Sequence, residues 1–539
     1  MIKKAFLGCL MLFFAFSVLA QKAVQYGLPT PAALLQVPKQ DKQRLLNEDE
    51  QKSKGRLRCA ILLPFQVDFP GDIVPEKVSD GKIWRLQIDA EDAEAINLYL
   101  SDFQLPKGVE LSFYTPDFEH RLPTVLPAEN PENKIYVTDH LRGSSMVIEL
   151  FAREGVEVRN CFTIKDIGYM YRPLPQWMSG RGFGHSGDCE VNVNCPEGAD
   201  WQDEKNGIAR IILVAGGAKY YCSGSLINNA KNDKTPYFLT ASHCAEYTTE
   251  EEFQLWEFYF HYESFTCSNP QAEPKFYRTI GSEKLAEATG VYINGSDFLL
   301  LKLNDNVAAR TDLFFNGWNI ADTPASNGVG IHHPEGDIKK ISTYTKPLQD
   351  DSTHWSVQWA KTQTEWGVTE PGSSGSPIFD QNKCIVGTLT AGNASCTNLA
   401  GEDIYGKMSY HWDKNGITPA EQLKPWLDPE NTGITKLKGI GEKEIDPPPI
   451  DPPSIDTSYT FRNPTNGLLS VRLKTGENQI IKIYDISGRL IIEKKVSVID
   501  EEAEDYDVVK INMSHLSSGL YIMVIINGNE RKTHKIIKL

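Results

Sequence analysis

Short segments in which apolar and polar residues alternate recur along most of the chain. Ahead of residue 180 they include KIWRLQIDA, AINLYLSDF, VELSFYT and SSMVIELFAR, which are rich in aliphatic and aromatic residues and are separated by Pro, Gly and Asp. This pattern is typical of short strands joined by turns. It predicts a β-sandwich-like domain over residues 21–183.

The composition changes near the segment SGRGFGHSGDCEVNVNCPEG, where glycines and cysteines become frequent. We place a domain boundary there. Residues 184–440 continue with β-rich segments between long loops, and the segment TPAEQLKPWLD near their end has a helical pattern. The sequence thus predicts a second, larger domain that is mostly β and closes with one helical stretch.

A proline-rich spacer follows this larger domain. Residues 441–457, within GEKEIDPPPIDPPSIDTS, contain five prolines in close succession, which exclude a helix and favour a stiff, extended linker. Residues 458–539 then show period-two alternation with Gly and Asn turns, which predicts a small independent β-sandwich. The acidic run DEEAEDYD within it is expected to be a solvated loop.

The first residues predict export from the cytoplasm. Lys3 and Lys4 precede an apolar run that ends in Val-Leu-Ala at residue 20, the pattern of a secretory signal peptide over residues 1–20. Cys9 lies inside the apolar run rather than after it, which disfavours a lipoprotein anchor. No later segment has the roughly 18 uninterrupted apolar residues of a transmembrane segment. Export also makes disulfides possible, since they persist in oxidising compartments.

Length and charge narrow the classes of function. At 539 residues the chain exceeds the size of a single hydrophobic core, so several domains are expected, and one of them can be a full-sized enzyme. The formal net charge of -16 disfavours a nucleic-acid partner, because neutralising phosphates requires a basic surface.

Three serines stand close together in the segment TEPGSSGSPIF. A nucleophilic serine needs a base that takes its proton and donors that hold the oxyanion, so this loop alone is more typical of a structural turn. Two other segments contain the missing groups. PYFLTASHCAEY places His243 at the end of a predicted strand, and NGSDFLLLKLN places Asp297 at the start of another. Taken alone, Asp297 is better explained as a turn residue at the start of a strand.

The order His243, Asp297, Ser374 is that of the chymotrypsin-type triad and differs from the α/β-hydrolase and subtilisin orders. Residues 184–440 also contain, in this order, CPEG, CSGSLINN, YFLTASHC, SDFLLLKLN, IHHPEGDIKKIS, VTEPGSSGSPI, VGTL and WLDPENTG. In these segments the chain resembles the bacterial lysyl endopeptidase branch of the chymotrypsin-fold serine proteases. The resemblance implies a chymotrypsin-like double β-barrel that hydrolyses peptide bonds through an acyl-enzyme.

The resemblance also implies the roles of the triad residues and of the loop around Ser374, which we call the serine loop. Ser374 is the nucleophile, His243 moves the proton and Asp297 orients His243. The backbone N–H groups of Gly372 and Ser374 form the oxyanion hole. Ser373 stands where trypsin-like zymogens have the aspartate that pairs with a new N-terminal ammonium, so activation by that ion pair is not expected.

The resemblance implies instead that a disulfide ties down the mature N-terminus. The implied pairs are Cys189–Cys396, Cys195–Cys267 and Cys222–Cys244. Of the other cysteines beyond the predicted signal peptide, Cys59 and Cys161 can pair in the leading domain and Cys384 is left over, although sequence does not decide connectivity.

The specificity pocket is expected to favour basic side chains. The position of the trypsin pocket aspartate is Val368 here, but lysyl endopeptidases have theirs in a later Asp-x-Tyr-Gly segment, which Asp403 begins in this chain. A carboxylate at the base of an apolar slot favours Lys or Arg; the alternative for Asp403 is a surface loop. Thr390 stands where the lysyl enzymes have a histidine, so lysine exclusivity is not expected. Gly392 is expected to line the same pocket.

Arg181 is the predicted propeptide cleavage site. It is the only Lys or Arg in the segment QWMSGRGFGHSGDC, so self-maturation there would require an enzyme that accepts arginine. Neighbouring histidines, His332 and His333, lie near acidic residues, but their spacing fits no closed zinc pattern. We therefore expect neither a metal nor a cofactor.

The last 82 residues, 458–539, resemble the sorting domains that Bacteroidetes-type bacteria use for type IX secretion. The segments that carry the resemblance are NPTNG, IYDISGRL, LSSGLYIMVI and the basic ending RKTHKIIKL. It implies a contact with the type IX secretion machinery and export through the periplasm and outer membrane to the cell surface or the medium. The alternative is a carbohydrate-binding or adhesive sandwich, for which no exposed aromatic cluster stands out.

Together these features predict a mostly β, secreted monomer that acts on protein or peptide substrates as a serine endopeptidase. Within enzymes, the alternative is a glutamyl-type endopeptidase, whose pocket needs a basic or histidine lining that Asp403 argues against. From another class, the alternative is a non-catalytic protease-like surface adhesin, which the three filled triad positions disfavour.

Overall fold

The structure is a computed structural model of the chain. It describes residues 22–441 apart from 32, 53–55, 173–183, 271–272 and 291–294, and residues 459–538 apart from 462–467, 475–478, 486–488, 497–505, 514–515, 517–518 and 528–529. The predicted signal peptide, Arg181 and all but the first residue of the predicted linker lie outside the described residues. Two compact units are distinguished, residues 1–443 and 444–539.

The leading part of the first unit consists of two helices and ten strands. They are α1 (Lys22–Gln25), β1 (Ala33–Gln36), α2 (Lys42–Lys52), β2 (Leu57–Phe69), β3 (Glu76–Val78), β4 (Gly81–Asp89), β5 (Ala95–Ser101), β6 (Val109–Tyr114), β7 (Tyr136–Val137), β8 (Leu141–Arg142), β9 (Ser145–Arg153) and β10 (Phe162–Met170), with a 3-10 helix at Pro127–Glu129. Strands β4, β5, β6 and β9 lie where the apolar alternation predicts them. A five-stranded sheet has the order β1-β4-β9-β6, with β3 beside β4.

Strand β2 shows why part of this region escapes prediction from the sequence. It contains Pro64, and proline lacks the N–H that a central strand donates, so its segment does not read as a strand. The partner strand β10 shifts register between Ile164 and Asp166, and Asp166 lies opposite Pro64. This irregularity in the ladder accommodates the missing donor.

The rest of the first unit is built from strands with short helical turns between them. The strands are β11 (Ile208–Ala215), β12 (Ala218–Leu226), β13 (Tyr237–Thr240), β14 (Glu257–Phe260), β15 (Tyr277–Ile280), β16 (Ser282–Ala288), β17 (Phe298–Leu303), β18 (Gly317–Asn319), β19 (Gly328–His332), β20 (Lys340–Tyr344), β21 (Gln349–Asp351), β22 (His354–Val357), β23 (Pro377–Asp380), β24 (Cys384–Gly392), β25 (Asp403–Lys407) and β26 (Lys436–Leu437). The helices are α3 (Glu250–Phe253), α4 (Met408–Asp413) and α5 (Lys424–Leu427). The 3-10 helices are Pro196–Gly198, Glu204–Gly207, Ser242–Ala245, Val307–Ala309, Pro334–Gly336 and Pro419–Glu421.

These strands form two sheet systems, and the predicted mostly β fold is confirmed. The first is a 12-stranded sheet whose main path is β15-β14-β11-β12-β2-β10-β5-β7, with β13, β16 and β17 joined to it through β12 and β8 beside β5. The second has the path β20-β19-β23-β24-β25-β22-β21, with β18 and β26 attached through β24. Buried residues of both systems, including Leu239, Leu300, Ile331 and Phe379, share one hydrophobic cluster, so the two systems pack against each other.

The predicted boundary between residues 183 and 184 separates two segments that share a sheet. Strand β2 of the leading part pairs antiparallel with β12, from Ile61 opposite Ala218 to Leu57 opposite Tyr221. Backbone hydrogen bonds therefore run continuously from one segment into the other. For this reason residues 1–443 form a single compact unit rather than two.

A buried ion pair lies at this junction. Lys219 on β12 and Glu257 on β14 both have fully buried side chains and are 2.9 Å apart. Arg278 donates to the other oxygen of Glu257 at 2.9 Å, and the leading part contributes Asn97 and His140, within 3.3 and 2.8 Å of Lys219 Nζ. Burial alone would raise the pKa of Glu257, but the Lys219 ammonium and its neighbours hold it at about 2.

The predicted helix TPAEQLKPWLD is wrong as a single element. The segment forms a 3-10 helix at Pro419–Glu421 and the four-residue α5, because each proline lacks a backbone donor and ends the helical pattern that precedes it. The longer helix of this region, α4, lies upstream at Met408–Asp413. Within the described ranges, no helix is long and apolar enough to cross a membrane.

The second unit contains two sheets, as the alternation predicts. Its strands are β27 (Tyr459–Phe461), β28 (Leu468–Lys474), β29 (Gln479–Asp485), β30 (Leu490–Val496), β31 (Tyr506–Asn512), β32 (Gly519–Asn527) and β33 (Glu530–Lys538). One sheet has the order β27-β28-β31 and the other β30-β29-β32-β33. Alternate residues of both, such as Val471 and Ile483, share one buried cluster, which is the core of a β-sandwich.

We expect Lys219→Met to lower the free energy of unfolding of the first unit by about 3 kcal/mol, because it leaves the buried carboxylate of Glu257 with one cation fewer. The double variant Lys219→Met/Glu257→Gln removes both charges and should recover part of this loss. Urea unfolding followed by tryptophan fluorescence measures both changes. Independent, additive losses in the two substitutions would contradict a coupled pair.

Candidate active site

Strand pairing brings His243 and Asp297 together. Strands β13 and β17 are antiparallel, with Thr240 at the end of β13 opposite Leu299 near the start of β17. The chain leaves β13 into the 3-10 helix that contains His243, while Asp297 is the residue that precedes β17. The end of one strand and the start of the other therefore lie side by side, and their flanking residues meet.

Each of the two carboxylate oxygens of Asp297 contacts His243. Nδ1 of His243 lies 2.7 Å from Oδ2 of Asp297, and the backbone N–H of His243 donates to Oδ1 at 2.9 Å. The Asp297 side chain is 2% exposed and that of His243 20% exposed, so the carboxylate is sealed while the imidazole reaches solvent. Asp297 has φ 57°, in the left-handed region that Asp tolerates better than most residues. The arrangement fixes both the position and the orientation of the imidazole ring.

Residues behind Asp297 hold this unusual backbone in place. The Ser296 side chain lies 2.6 Å from Nδ1 of His411 on α4, and Asn415 donates to the same hydroxyl at 2.8 Å. The other ring nitrogen of His411 lies 3.0 Å from Thr388 on β24. Through these contacts the second sheet system supports a residue of the first.

The serine loop docks directly onto the end of β13. Gly375, with φ 79°, lies so close to Thr240 and Ala241 that an added Cβ would stand 2.0 Å from Thr240 Oγ1 and 2.7 Å from the Ala241 nitrogen. Ser223 on β12 donates its N–H to the Ser374 carbonyl at 2.8 Å. Ser374 itself is half-buried. The structure thus brings His243, Asp297 and Ser374 to one place, where β12 and β13 meet the loop before β23.

The serine loop also presents backbone N–H donors where His243, Asp297 and Ser374 meet. Gly372 has φ 95°, and its carbonyl accepts a hydrogen bond from the Ser223 hydroxyl at 2.9 Å, which turns the carbonyl inward. Among the described residues, no acceptor takes the N–H of Gly372 or of Ser374. Two backbone donors are therefore available beside the nucleophile, as an oxyanion hole requires.

Three disulfides surround the site, and they are the pairs that the resemblance implies. They are Cys189–Cys396, Cys195–Cys267 and Cys222–Cys244. The last links β12, one residue before Ser223, to the residue after His243, and so couples the strand that holds the serine loop to the turn that holds the histidine. Within the described residues Cys59, Cys161 and Cys384 are buried free thiols, so Cys59 and Cys161 do not pair.

Asp403 is buried beside the segment that leads into the serine loop rather than exposed in a surface loop. It begins β25, pairs with Gly392 on β24 and Val357 on β22, and is fully buried. Trp359 Nε1 and Thr369 Oγ1 donate to its Oδ2 at 2.6 and 2.7 Å, and the Ala394 N–H donates to Oδ1 at 3.2 Å. Burial raises the pKa of Asp403, and these donors act in the opposite direction.

The other predicted pocket residues lie near Asp403. Gly392 approaches so closely that an added Cβ would stand 1.8 Å from Asp403 Oδ1, so only glycine fits there. Thr390 is 6% exposed, and its buried hydroxyl finds no partner among the described residues. Val368 is buried in the apolar cluster that also contains Trp359. The Asp403 carboxylate thus lies beside an apolar cluster that contains Val368 and Trp359.

Sequence reasoning missed several residues of the site. Thr369 begins the serine-rich segment, but a threonine there has no signal of its own that marks it as a carboxylate partner. Trp359 lies outside the recognised segments, and Ser223, although it lies within CSGSLINN, joins the site only because β12 meets the serine loop. Ser223 had a partial signal, since it follows Cys222, a cysteine with an implied bond to the residue after His243.

His332 and His333 are fully buried and engaged in hydrogen bonds rather than in a metal site. The ring nitrogens of His332 lie 2.8 Å from Ser373 Oγ and from Ser342 Oγ, and Nδ1 of His333 donates to the Asp337 carbonyl at 2.9 Å. In the described part of the chain, the one cluster with metal-ligand geometry contains Cys189 and Cys396, which are joined in a disulfide.

Comparison with known proteins confirms the two resemblances. The family model of the lysyl endopeptidase C-terminal domain matches residues 183–406, and that of the secretion system C-terminal sorting domain matches residues 460–539. The chain is 28% identical over 290 residues to the lysyl endopeptidase of Pseudomonas aeruginosa, a match that covers 52% of this chain and 58% of that protein. The chain thus spans somewhat more than half the length of this relative.

Solved structures add weaker likenesses. The Glu endopeptidase in complex with MPD is 19% identical, with 42% of this chain and 94% of that chain covered and a TM-score of 0.27. The protease Anisep from Arthrobacter nicotinovorans is 18% identical, with 38% and 90% covered and a TM-score of 0.27. The identification therefore depends on the two family models, which match residues 183–406 and 460–539.

Proposed function

We propose that the protein is a secreted serine endopeptidase in which Ser374 attacks the peptide carbonyl, His243 takes and returns the proton, and Asp297 orients His243. The observation that carries the proposal is the double contact of Asp297 with His243, made beside the docked serine loop. Asp297 Oδ2 accepts from Nδ1–H, which leaves Nε2 as the base that faces the nucleophile. An acyl-enzyme on Ser374 then forms and is hydrolysed by water.

We assign the oxyanion hole to the N–H groups of Gly372 and Ser374. Support comes from the two carbonyls that share a peptide plane with these N–H groups. The Pro371 carbonyl accepts the Glu335 N–H at 2.6 Å and the Ser373 carbonyl accepts the Ser376 N–H at 3.0 Å, so the N–H groups of Gly372 and Ser374, trans to them, point the opposite way. Each such donor typically contributes about a hundred- to a thousand-fold in rate.

For specificity we propose cleavage after basic residues, with Asp403 as the counter-charge. A buried carboxylate beside an apolar cluster attracts a cationic side chain strongly, because the surrounding medium screens it weakly. The same charge disfavours a glutamyl substrate, which is the alternative within enzymes. The alternative of an inactive adhesin gives no reason for the His243–Asp297 geometry.

The contacts of Asp403 favour lysine over arginine within the basic class. A carboxylate offers about four acceptor positions, and Trp359, Thr369 and the Ala394 N–H occupy three of them. The backbone N–H of Thr369 also interacts with this carboxylate, so at most one acceptor position remains for a substrate cation. An ammonium needs a single acceptor, whereas the guanidinium of arginine binds best through two parallel bonds. We expect Lys peptides to exceed Arg peptides in kcat/KM by about tenfold.

We further propose that residues 21–183 are a propeptide, that cleavage near Arg181 releases it, and that residues 458–539 engage the type IX secretion machinery. The shared sheet at β2 and β12 supports a leading segment that folds onto the protease part. The sorting-domain match supports a secreted or cell-surface location.

The proposal is tested on peptides that differ only in Lys, Arg or Glu before the scissile bond. We expect hydrolysis after Lys and Arg by the secreted chain and none by Ser374→Ala. Ser264→Ala is the matched control, since Ser264 is a buried serine bonded to the Ser268 carbonyl at 2.6 Å, away from the triad. Activity that persists in Ser374→Ala would overturn the triad, and a preference for Glu would overturn the role of Asp403.

Asp297→Asn should lower kcat by about 10⁴-fold while the fold is retained, because an amide stabilises the wrong tautomer of the histidine. Asp312→Asn is the control, since Asp312 pairs with Nε2 of His261 at 3.4 Å on the surface and should leave kcat unchanged. Steady-state kinetics on a Lys peptide separates the two. Equal effects of both substitutions would contradict the assigned role of Asp297.

Binding of an alkylammonium such as n-butylammonium should weaken as the pH falls. Burial raises the pKa of Asp403, so the carboxylate takes up a proton at a higher pH than an ordinary aspartate and then no longer attracts a cation. In Asp403→Asn the affinity should be low at every pH. Calorimetry between pH 8 and about 4 measures both; an affinity in the wild type that stays constant over this range would be the contrary result.

A further inference from the structure

The residue before the nucleophile is anchored by a buried histidine. Ser373 is fully buried, and its hydroxyl lies 2.8 Å from Nδ1 of His332, the last residue of β19. The same hydroxyl accepts the backbone N–H of Glu370 at 3.2 Å. The other ring nitrogen of His332, Nε2, lies 2.8 Å from the hydroxyl of Ser342 on β20.

The direction of each hydrogen bond in the series Ser373–His332–Ser342 follows from the number of hydrogens that each group can donate. The Ser342 hydroxyl has one hydrogen, which it donates to the Val368 carbonyl at 2.9 Å. It must therefore accept from His332, whose proton is on Nε2. Nδ1 is then an acceptor, and the Ser373 hydroxyl donates to it. Burial, followed by the nearby Lys340, lowers the pKa of His332 to about 3, in agreement with a neutral ring.

The two ends of this series of hydrogen bonds lie on either side of the loop that carries the proposed oxyanion-hole donors. Val368 precedes the loop and Ser373 ends it, so a single run of side-chain hydrogen bonds joins both of its ends to β19 and β20. The loop between them has its own backbone contacts to the turn that follows His332: the Glu335 N–H donates to the Pro371 carbonyl at 2.6 Å. An added Cβ on Gly372 would stand 3.0 Å from the Gly336 nitrogen, which shows how closely loop and turn pack.

We propose that His332 is a positioning residue for the oxyanion hole: through Ser373 and Ser342 it holds residues 368–373 in the conformation that presents the N–H groups of Gly372 and Ser374. This rests on the proposed function. His332 does not touch the substrate. The network is neutral and closed, so the loop keeps its shape without a charge supplied by cleavage of the chain.

The acidic residues near Ser373 also favour an uncharged side chain at this position. Burial and the neighbouring Glu370 raise the pKa of Glu335 to about 7, and burial raises that of Glu370 as well. A carboxylate at position 373 would add a buried negative charge to this group. A hydroxyl bonded to an imidazole avoids that penalty.

The test compares Ser373→Ala, His332→Leu and His332→Asn with the wild type in the secreted chain. We expect the first two to lower kcat on a Lys peptide by about 10- to 100-fold with KM changed by less than about threefold, since a misplaced donor affects the transition state more than the ground state. His332→Asn keeps an acceptor near the Nδ1 position and should retain more activity than His332→Leu. Ser264→Ala should match the wild type.

Two ligands distinguish positioning from a general loss of structure. A peptide aldehyde that ends in lysinal forms a hemiacetal with Ser374 and places its oxygen in the oxyanion hole, whereas n-butylammonium binds at Asp403 alone. In Ser373→Ala and His332→Leu, aldehyde affinity should fall by the same factor as kcat, with alkylammonium affinity unchanged. Equal losses for both ligands, or no loss for the aldehyde, would overturn the positioning role.

Failure of the proposed function has a different signature. A wild type without hydrolysis, or a Ser374→Ala chain that retains it, overturns the triad itself. If the variants do not fold, ¹⁵N-histidine NMR on the Ser374→Ala chain decides: His332 should have a protonated Nε2 and a bare Nδ1 from pH 8 to about 5. A proton on Nδ1 in this range overturns the proposal.

Discussion

The candidate site depends on the close approach of the serine loop to the end of β13. At Gly375 the distance to Thr240 and Ala241 leaves no room for a side chain, so the two segments are in backbone contact. This contact sets Ser374, from the second sheet system, beside His243, from the first. The Cys222–Cys244 disulfide and the bond from Ser223 to the Ser374 carbonyl hold the same junction from the other side.

Two buried aspartates have different tasks because their partners differ. Asp297 faces a histidine and the N–H of that same residue, so both of its oxygens orient one ring. Asp403 is surrounded by donors that have no charge, Trp359 and Thr369 among them, which suits the role of substrate counter-charge that we propose for it. Residue type alone does not separate these roles, since both carboxylates are almost fully buried.

The shared sheet between the leading segment and the protease part bears on maturation. At this junction the charged groups Lys219, Glu257 and Arg278 all belong to the protease part. The leading part contributes neutral acceptors, such as Asn97 and the carbonyl of Thr138, and one carboxylate, Asp139, which lies 3.9 Å from Arg278. Separation of the two would thus leave the Lys219–Glu257 pair intact on one side, while Asp139 would lose its contact with Arg278. Such an interface can hold two segments together after the peptide between them is cut.

The amino-acid sequence predicts the mostly β class, the sandwich of the tail and His243, Asp297 and Ser374 as a candidate triad, because alternation and short motifs are local. Prediction from the sequence failed where the local structure depends on contacts with residues that are far away along the chain. Pro64 hid a strand whose ladder shifts register opposite it, and prolines split the predicted last helix. Only the tertiary structure assigned Trp359 to Asp403 and His332 to Ser373, since hydrogen bonds between residues far apart in the chain leave no periodic or motif signal. Sheet pairing decides which of these side chains meet.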